Sequence, residues 1–259
     1  MKKYFLILVF IPVLSFAQFK KLKSWDVSEE ILSCYVDRPG DLYVLTTGGQ
    51  FLKYDKNGTL QVVYKHDPPP TLFDPRDGAR LFAFYRNARQ YAYLSPSFDV
   101  LDAIHIDSAF VTEPWLVCPS GDLNAWVIDS ADGTLKKINA RTGHVDVEVT
   151  LDASVPVTEI MSMREYQGFL FCNTKTSGIM LFNSLGKLIK ILPDANVINF
   201  NFLGEELYYV HQGRLKFLDL FSAETLDITL PEPCKQALLT DERLYLLAGK
   251  TINLFEYNP

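Results

Sequence analysis

Large apolar residues recur along this chain in short runs broken by Gly, Asn, Asp and Pro. No long stretch repeats them at the i, i+3, i+4, i+7 spacing of a helix face. Short runs rich in Val, Ile, Leu, Phe and Tyr between turn residues predict strands. The runs form a phrase of strand, polar turn, strand, turn and strand. It first appears as Leu42-Tyr43-Val44, Gly49, Phe51-Leu52-Lys53-Tyr54, Asn57-Gly58 and Leu60-Gln61-Val62-Val63. Later copies begin at Leu81, Leu123, Phe169, Leu207 and Leu244, so the separations are 39, 42, 46, 38 and 37 residues.

A period of about forty residues with four strands per repeat is the signature of a propeller blade. Each phrase shows three strands, and an apolar segment ahead of it supplies the fourth, innermost one. These segments are 31–36, 71–73, 115–118, 157–163, 197–202 and 236–239. The sixth copy ends without its outer strand, whereas the segment 19–27 is a spare strand ahead of the first blade. Unpaired strand edges invite aggregation, so pairing the spare strand onto the last blade closes the ring. The expected fold is an all-β, six-bladed β-propeller in one domain spanning 18–259.

Asn57-Gly58 predicts a two-residue hairpin turn, because both central positions of a type I′ turn need positive φ. That turn role accounts for the Asn57-Gly58-Thr59 sequon without a glycan. Cys34, Cys118, Cys172 and Cys234 lack metal or redox spacing and sit in or beside apolar runs. They read as buried thiols. Ring closure makes Cys34 and Cys234 the pair best placed for a bridge, should one form.

The first residues change the compartment. Met1-Lys2-Lys3, an apolar run from Tyr4 to Leu14 and the ending Ser15-Phe16-Ala17 compose a secretory signal peptide cut after Ala17. The run is too short to span a membrane, which takes roughly 20 residues. The expectation is an exported, monomeric protein of the bacterial periplasm or envelope, without a transmembrane segment in the mature chain. The formal net charge of -6 argues against a nucleic-acid partner.

Catalytic chemistry is sparse. His66, His105, His144 and His211 form no metal-ligand spacing, and Thr47-Gly48-Gly49 has no following helix to make a phosphate cradle. The loops between second and third strands and those between blades share one face of a propeller. That face would carry His66, Tyr85, Arg86, Asn87, Arg89, Glu113, Asp129, Lys175, His211 and Lys250. Tyr85, Arg86, Arg89, Lys175 and His211 are its candidate binding residues, because Arg beside Tyr is a frequent hot-spot composition. Asp74-Pro75-Arg76-Asp77-Gly78, on the opposite face, reads as a polar turn.

The repeated phrase resembles β-propellers with quinoprotein-like, NHL-like and TolB-like repeats. Asp132-Gly133-Thr134-Leu135 and Ala140-Arg141-Thr142-Gly143 look most like a quinoprotein-type repeat. No Trp follows that Thr-Gly pair within Val145 to Val149, and no cofactor is implied. Six-bladed metal-dependent lactonases and related hydrolases resemble the chain in blade number. That resemblance implies a channel metal held by Glu29 or Glu30 with Asp129 and Asn173, although the Gly-Pro usual after such a Glu is absent. The expected function is a non-catalytic, protein-binding or scaffolding propeller. A channel hydrolase or a small-ligand binder is the alternative.

Overall fold

The computed structural model describes residues 19–121 and 124–257; the signal segment 1–17 and Leu123 lie outside the described residues. Six four-stranded antiparallel sheets form the ring. Blade 1 holds Ile31–Val36 (β2), Leu42–Thr46 (β3), Gln50–Tyr54 (β4) and Leu60–Lys65 (β5). Blade 2 holds Leu72–Asp74 (β6), Leu81–Tyr85 (β7), Gln90–Leu94 (β8) and Val100–His105 (β9). Blade 3 is Pro114–Pro119 (β10), Ala125–Asp129 (β11), Thr134–Asn139 (β12) and His144–Thr150 (β13). Blade 4 is Ile160–Tyr166 (β14), Phe169–Thr174 (β15), Gly178–Phe182 (β16) and Leu188–Leu192 (β17). Blade 5 is Phe200–Leu203 (β18), Glu206–His211 (β19), Arg214–Asp219 (β20) and Thr225–Thr229 (β21). Blade 6 combines Gln236–Leu239 (β22), Arg243–Ala248 (β23) and Thr251–Tyr257 (β24) with the N-terminal Phe19–Asp26 (β1).

The closure expected from the spare strand is present. β1 runs antiparallel to β24, from Phe19 opposite Tyr257 to Asp26 opposite Thr251. Side chains reinforce the backbone pairing. Ser24 Oγ donates to Asn253 Oδ1 at 2.7 Å, and Phe19 stacks on Tyr257 with ring centroids 5.6 Å apart.

Middle strands are buried and outer strands alternate or lie exposed, as packed blades require. The core fills the gaps between blades. Tyr43, Phe51, Phe73 and Phe98 join blades 1 and 2; Cys34, Val44, Leu52, Tyr245 and Ile252 join blades 6 and 1.

Two expectations are corrected. Residues 157–159 form a 3-10 turn, and the inner strand starts only at Ile160. Pro156 sits at its head, and the Glu159 amide closes onto the Pro156 carbonyl. The Asn57-Gly58 pair belongs to a longer loop. Asp55 Oδ1 accepts from the amides of Asn57 and Thr59 at 2.9 and 2.8 Å, with Gly58 at φ 73°. All four cysteines are free thiols, as read from the sequence; Cys34, Cys118 and Cys172 are buried and Cys234 is partly buried. Cys34 packs between blades 6 and 1, whereas Cys234 packs on the cluster between blades 5 and 6.

Loops between first and second strands, and between third and fourth, lie at one end of the ring, the lower rim. Loops between second and third strands, and between blades, form the upper rim.

Candidate functional site

The residues singled out in the sequence lie on the upper rim, where Arg86 and Arg89 are engaged by backbone carbonyls. Arg86 Nε donates to the Trp115 carbonyl at 2.8 Å, with its guanidinium 3.6 Å above the Trp115 ring. Arg89, at φ 50°, donates to the carbonyls of Thr112 and Val111 at 2.5 and 2.6 Å. Both arginines therefore tie blade 2 to the connector and inner strand of blade 3. His211 Nδ1 lies 3.4 Å from Asp194 without a hydrogen bond to it, and Asp194 accepts from Lys216 and Tyr209, each at 2.8 Å. Burial alone would raise the Asp194 carboxyl, but these partners hold it below its usual range. Lys175 is exposed, and its amide pairs with the Glu159 carbonyl.

The four residues of the metal alternative are not brought together. Glu29 accepts from Thr46 Oγ1 at 2.7 Å and the Gly48 amide at 2.8 Å. A Cβ at Gly48 would fall on that carboxylate, so a larger residue there would displace the Glu29 side chain. Glu30 is exposed one residue on. Asp129, fully buried in blade 3, accepts from the Thr112 and Glu113 amides and from Lys136 Nζ at 3.1 Å. Asn173 in blade 4 donates to the Val197 carbonyl at 2.7 Å. Among the described residues, no three of His, Cys, Asp and Glu stand close enough to hold a metal ion.

Chemistry gathers instead on the axis and at the lower rim. Arg164 Nε in β14 lies 3.1 Å from Asp74 Oδ2 in β6, and Arg164 Nη1 donates to Asn201 Oδ1 at 2.6 Å. Arg76 Nη1 donates to the Glu165 carbonyl at 2.6 Å. Blades 2 and 4 are not neighbours in a six-blade ring, so these bonds run through the central space and narrow it. Above them remains a pocket of about 70 Å³ between the inner strands. Burial alone would raise Asp74, yet Arg164 and Arg76 outweigh it and hold the carboxyl below its usual range.

Below this plug the ring opens into a cup of about 650 Å³. Arg38, Arg76, Arg80, Asp77, Tyr93 and Tyr166 are among its walls. An adjoining pocket of about 230 Å³ shares Arg38, Arg76 and Tyr166 and reaches blades 5 and 6. Formal charges on the larger wall balance, but their engagement does not. Asp74 is paired with arginine. Glu165 Oε2 accepts from Ser120 Oγ at 2.8 Å and Trp126 Nε1 at 2.6 Å, and Oε1 faces the Gly121 amide. Arg38 is exposed, and no acidic group pairs with it or with Arg80 among the described residues. Arg80 stacks 3.9 Å above the Tyr93 ring. Two guanidinium groups thus face the cup against one exposed carboxylate, Asp77.

Of these residues, Asp74, Arg76 and Asp77 were read in the sequence as part of a polar turn. The available signal was the density of Asp and Arg in 74–80 beside an inner strand, combined with Arg38 at the same place in the preceding blade.

The chain matches no protein-family model and no curated protein by sequence. Its fold recurs among solved structures. The Pan2 WD40 domain of Neurospora crassa aligns with a TM-score of 0.60 and 10% identity, over 93% of this chain and 96% of that one. Inactivated virginiamycin B lyase of Staphylococcus aureus, solved with quinupristin, aligns at 0.53 and 10%, over 88% and 80%. The extracellular domain of the one-component system BT4673 of B. thetaiotaomicron aligns at 0.56 and 13%, over 88% of this chain and 33% of that one. Identities this low carry the propeller fold and nothing finer.

Proposed function

We propose that this protein is an exported, non-catalytic binding propeller that holds a small anionic ligand in its lower cup. The observation that carries the reading is the narrowed channel above a cup with two arginines, Arg38 and Arg80, that pair with no acidic group among the described residues. A guanidinium fork suits carboxylate or phosphate, and a concave site with a few convergent polar groups is the usual form of a ligand pocket. Asp77 disfavours a highly charged ligand. Export rests on the N-terminal segment, and the extracellular propeller domain among the similar structures is consistent with it.

A protein-binding scaffold, the reading favoured from sequence, placed its hot spot at Arg86 and Arg89. Those guanidinium groups are spent on carbonyls of the same chain, which moves the weight of the argument to the cup.

Thermal unfolding with matched probes tests this: glucuronate against glucose, and glycerol 3-phosphate against glycerol. A ligand that binds only the native state raises Tm with concentration. At least one charged member is expected to raise Tm while its uncharged partner leaves it unchanged. Equal responses within both pairs, or none together with a stoichiometric protein partner from cross-linked envelopes, would replace this reading with the scaffold.

A further inference from the structure

Blade 2 departs from the others along one row. Ala83, Ala92 and Ala103 lie side by side across β7, β8 and β9. The same row is Val44, Leu52 and Val63 in blade 1, and Cys172, Met180 and Ile191 in blade 4. In blade 5 it is Tyr209, Lys216 and Asp227. Ala83 and Ala92 lie in the core between blades 1 and 2 together with Phe73 and Phe98.

Beside Ala92, a slot of about 200 Å³ opens on the upper rim. Its walls include Pro68, Pro69, Tyr85, Ala88, Ala92 and Val100. His66 and Tyr85 face each other with ring centroids 4.5 Å apart.

A second departure falls at the same place. In blades 1, 3 and 4 the side chain at the upper end of the second strand hydrogen-bonds a nearby loop or turn, and in blade 5 it lies against a loop carboxylate. Thr46 holds Glu29, Asp129 holds the Thr112 and Glu113 amides, Thr174 bonds the Gly178 carbonyl, and His211 faces Asp194. Blade 2 has Tyr85 there, half-buried, and its hydroxyl has no hydrogen-bond partner among the described residues. Asn87 and Gln90, also on the slot, carry amides equally without partners. The one cation beside it, Arg86, is already seated on Trp115.

We propose that this slot is a second binding site, which takes a single aromatic ring bearing a neutral polar group. Size and chemistry agree. An apolar cavity of roughly 150 Å³ is enough for benzene. Ring and proline faces give the ring its contacts, and Tyr85, Asn87 and Gln90 supply donors and acceptors to a hydroxyl or amide. Burial pushes the Tyr85 hydroxyl up to about 12, so it is a neutral phenol that both donates and accepts at neutral pH. This site stands apart from the lower cup, and neither depends on the other.

Benzyl alcohol is the probe, with benzoate and cyclohexylmethanol as controls, followed by amide NMR shifts on the mature protein. Saturable binding of benzyl alcohol is expected, with shifts confined to residues 66–71 and 85–92. Benzoate and cyclohexylmethanol should bind at least several-fold more weakly. Ala92→Leu should abolish binding by filling the slot. Ala88→Leu, on the exposed turn, should weaken it tenfold or more by narrowing the entrance without touching the core. Tyr85→Phe should weaken it several-fold while the protein stays folded. No saturable binding at millimolar benzyl alcohol would overturn the proposal. So would binding that survives Ala88→Leu in a folded protein, or benzoate binding as well as the alcohol.

Discussion

Arg164 and Asp74 meet at 3.1 Å across the centre of the ring, joining inner strands of blades that are not neighbours. Both are almost wholly buried. Removing one partner leaves the other charge desolvated and unpaired. Asp74→Asn is expected to cost about 3–5 kcal/mol, read from the urea midpoint. The double change Asp74→Leu with Arg164→Met should recover most of that loss. Equal losses in single and double variants would show that the pair is not the source.

Acid should act through the same contacts. Asp74, Asp129 and Asp194 are held below the usual carboxylate range, in each case because basic or amide donors outweigh burial. A depressed carboxyl contributes stability in full above its unfolded value of about 3.9 and loses it as pH falls through the folded value. Urea midpoints should therefore fall steeply below about pH 4. The fall should be shallower in Asp129→Asn, which has already lost its share.

Phe98 sits at φ 68°, a backbone region that favours glycine, and is nonetheless almost fully buried. It stacks on Tyr64 at 4.9 Å and meets Phe51 at 5.4 Å. Phe98→Ala should cost about 3–5 kcal/mol by opening a cavity between blades 1 and 2. Phe98→Gly should cost no more than alanine, because glycine relieves the backbone by about 1 kcal/mol while leaving the same hole.

Deleting residues 19–26 should expose the β24 edge. The truncated chain is expected to unfold at lower temperature and to aggregate on standing, followed by light scattering. A truncated protein as stable and monodisperse as the mature one would mean that β1 contributes little to closure.

Ring, blade number and closure were readable because each follows from spacing along the chain. A forty-residue period and one missing strand leave few arrangements of a closed sheet. The cup was not readable for the opposite reason. Arg38, Arg76, Ser120 and Glu165 come from four different blades, and only the folded ring makes them neighbours. Arg86 and Arg89 misled because composition does not say where a guanidinium points. The left-handed backbone at Arg89 helps aim its side chain at carbonyls of its own chain. One repeat signal went unread. Asp55, Ser95, Asn139, Asn183 and Asp219 each open the loop between third and fourth strands by accepting backbone amides. Gly58, Phe98, Gly143, Gly186 and Ala223, with positive φ, follow three or four residues later. Short polar side chains that bond their own backbone explain the spacing. It marks the lower rim of five blades more sharply than Asn57-Gly58 alone.

The central claim is that two unpaired arginines make the lower cup an anion site. Calorimetric titration of the responding anion into mature protein and into the Arg38→Gln, Arg80→Gln double variant tests it most directly. The account predicts one site per chain, binding that weakens as salt rises, and at least a tenfold loss in the folded double variant. Undiminished affinity in that variant would contradict it.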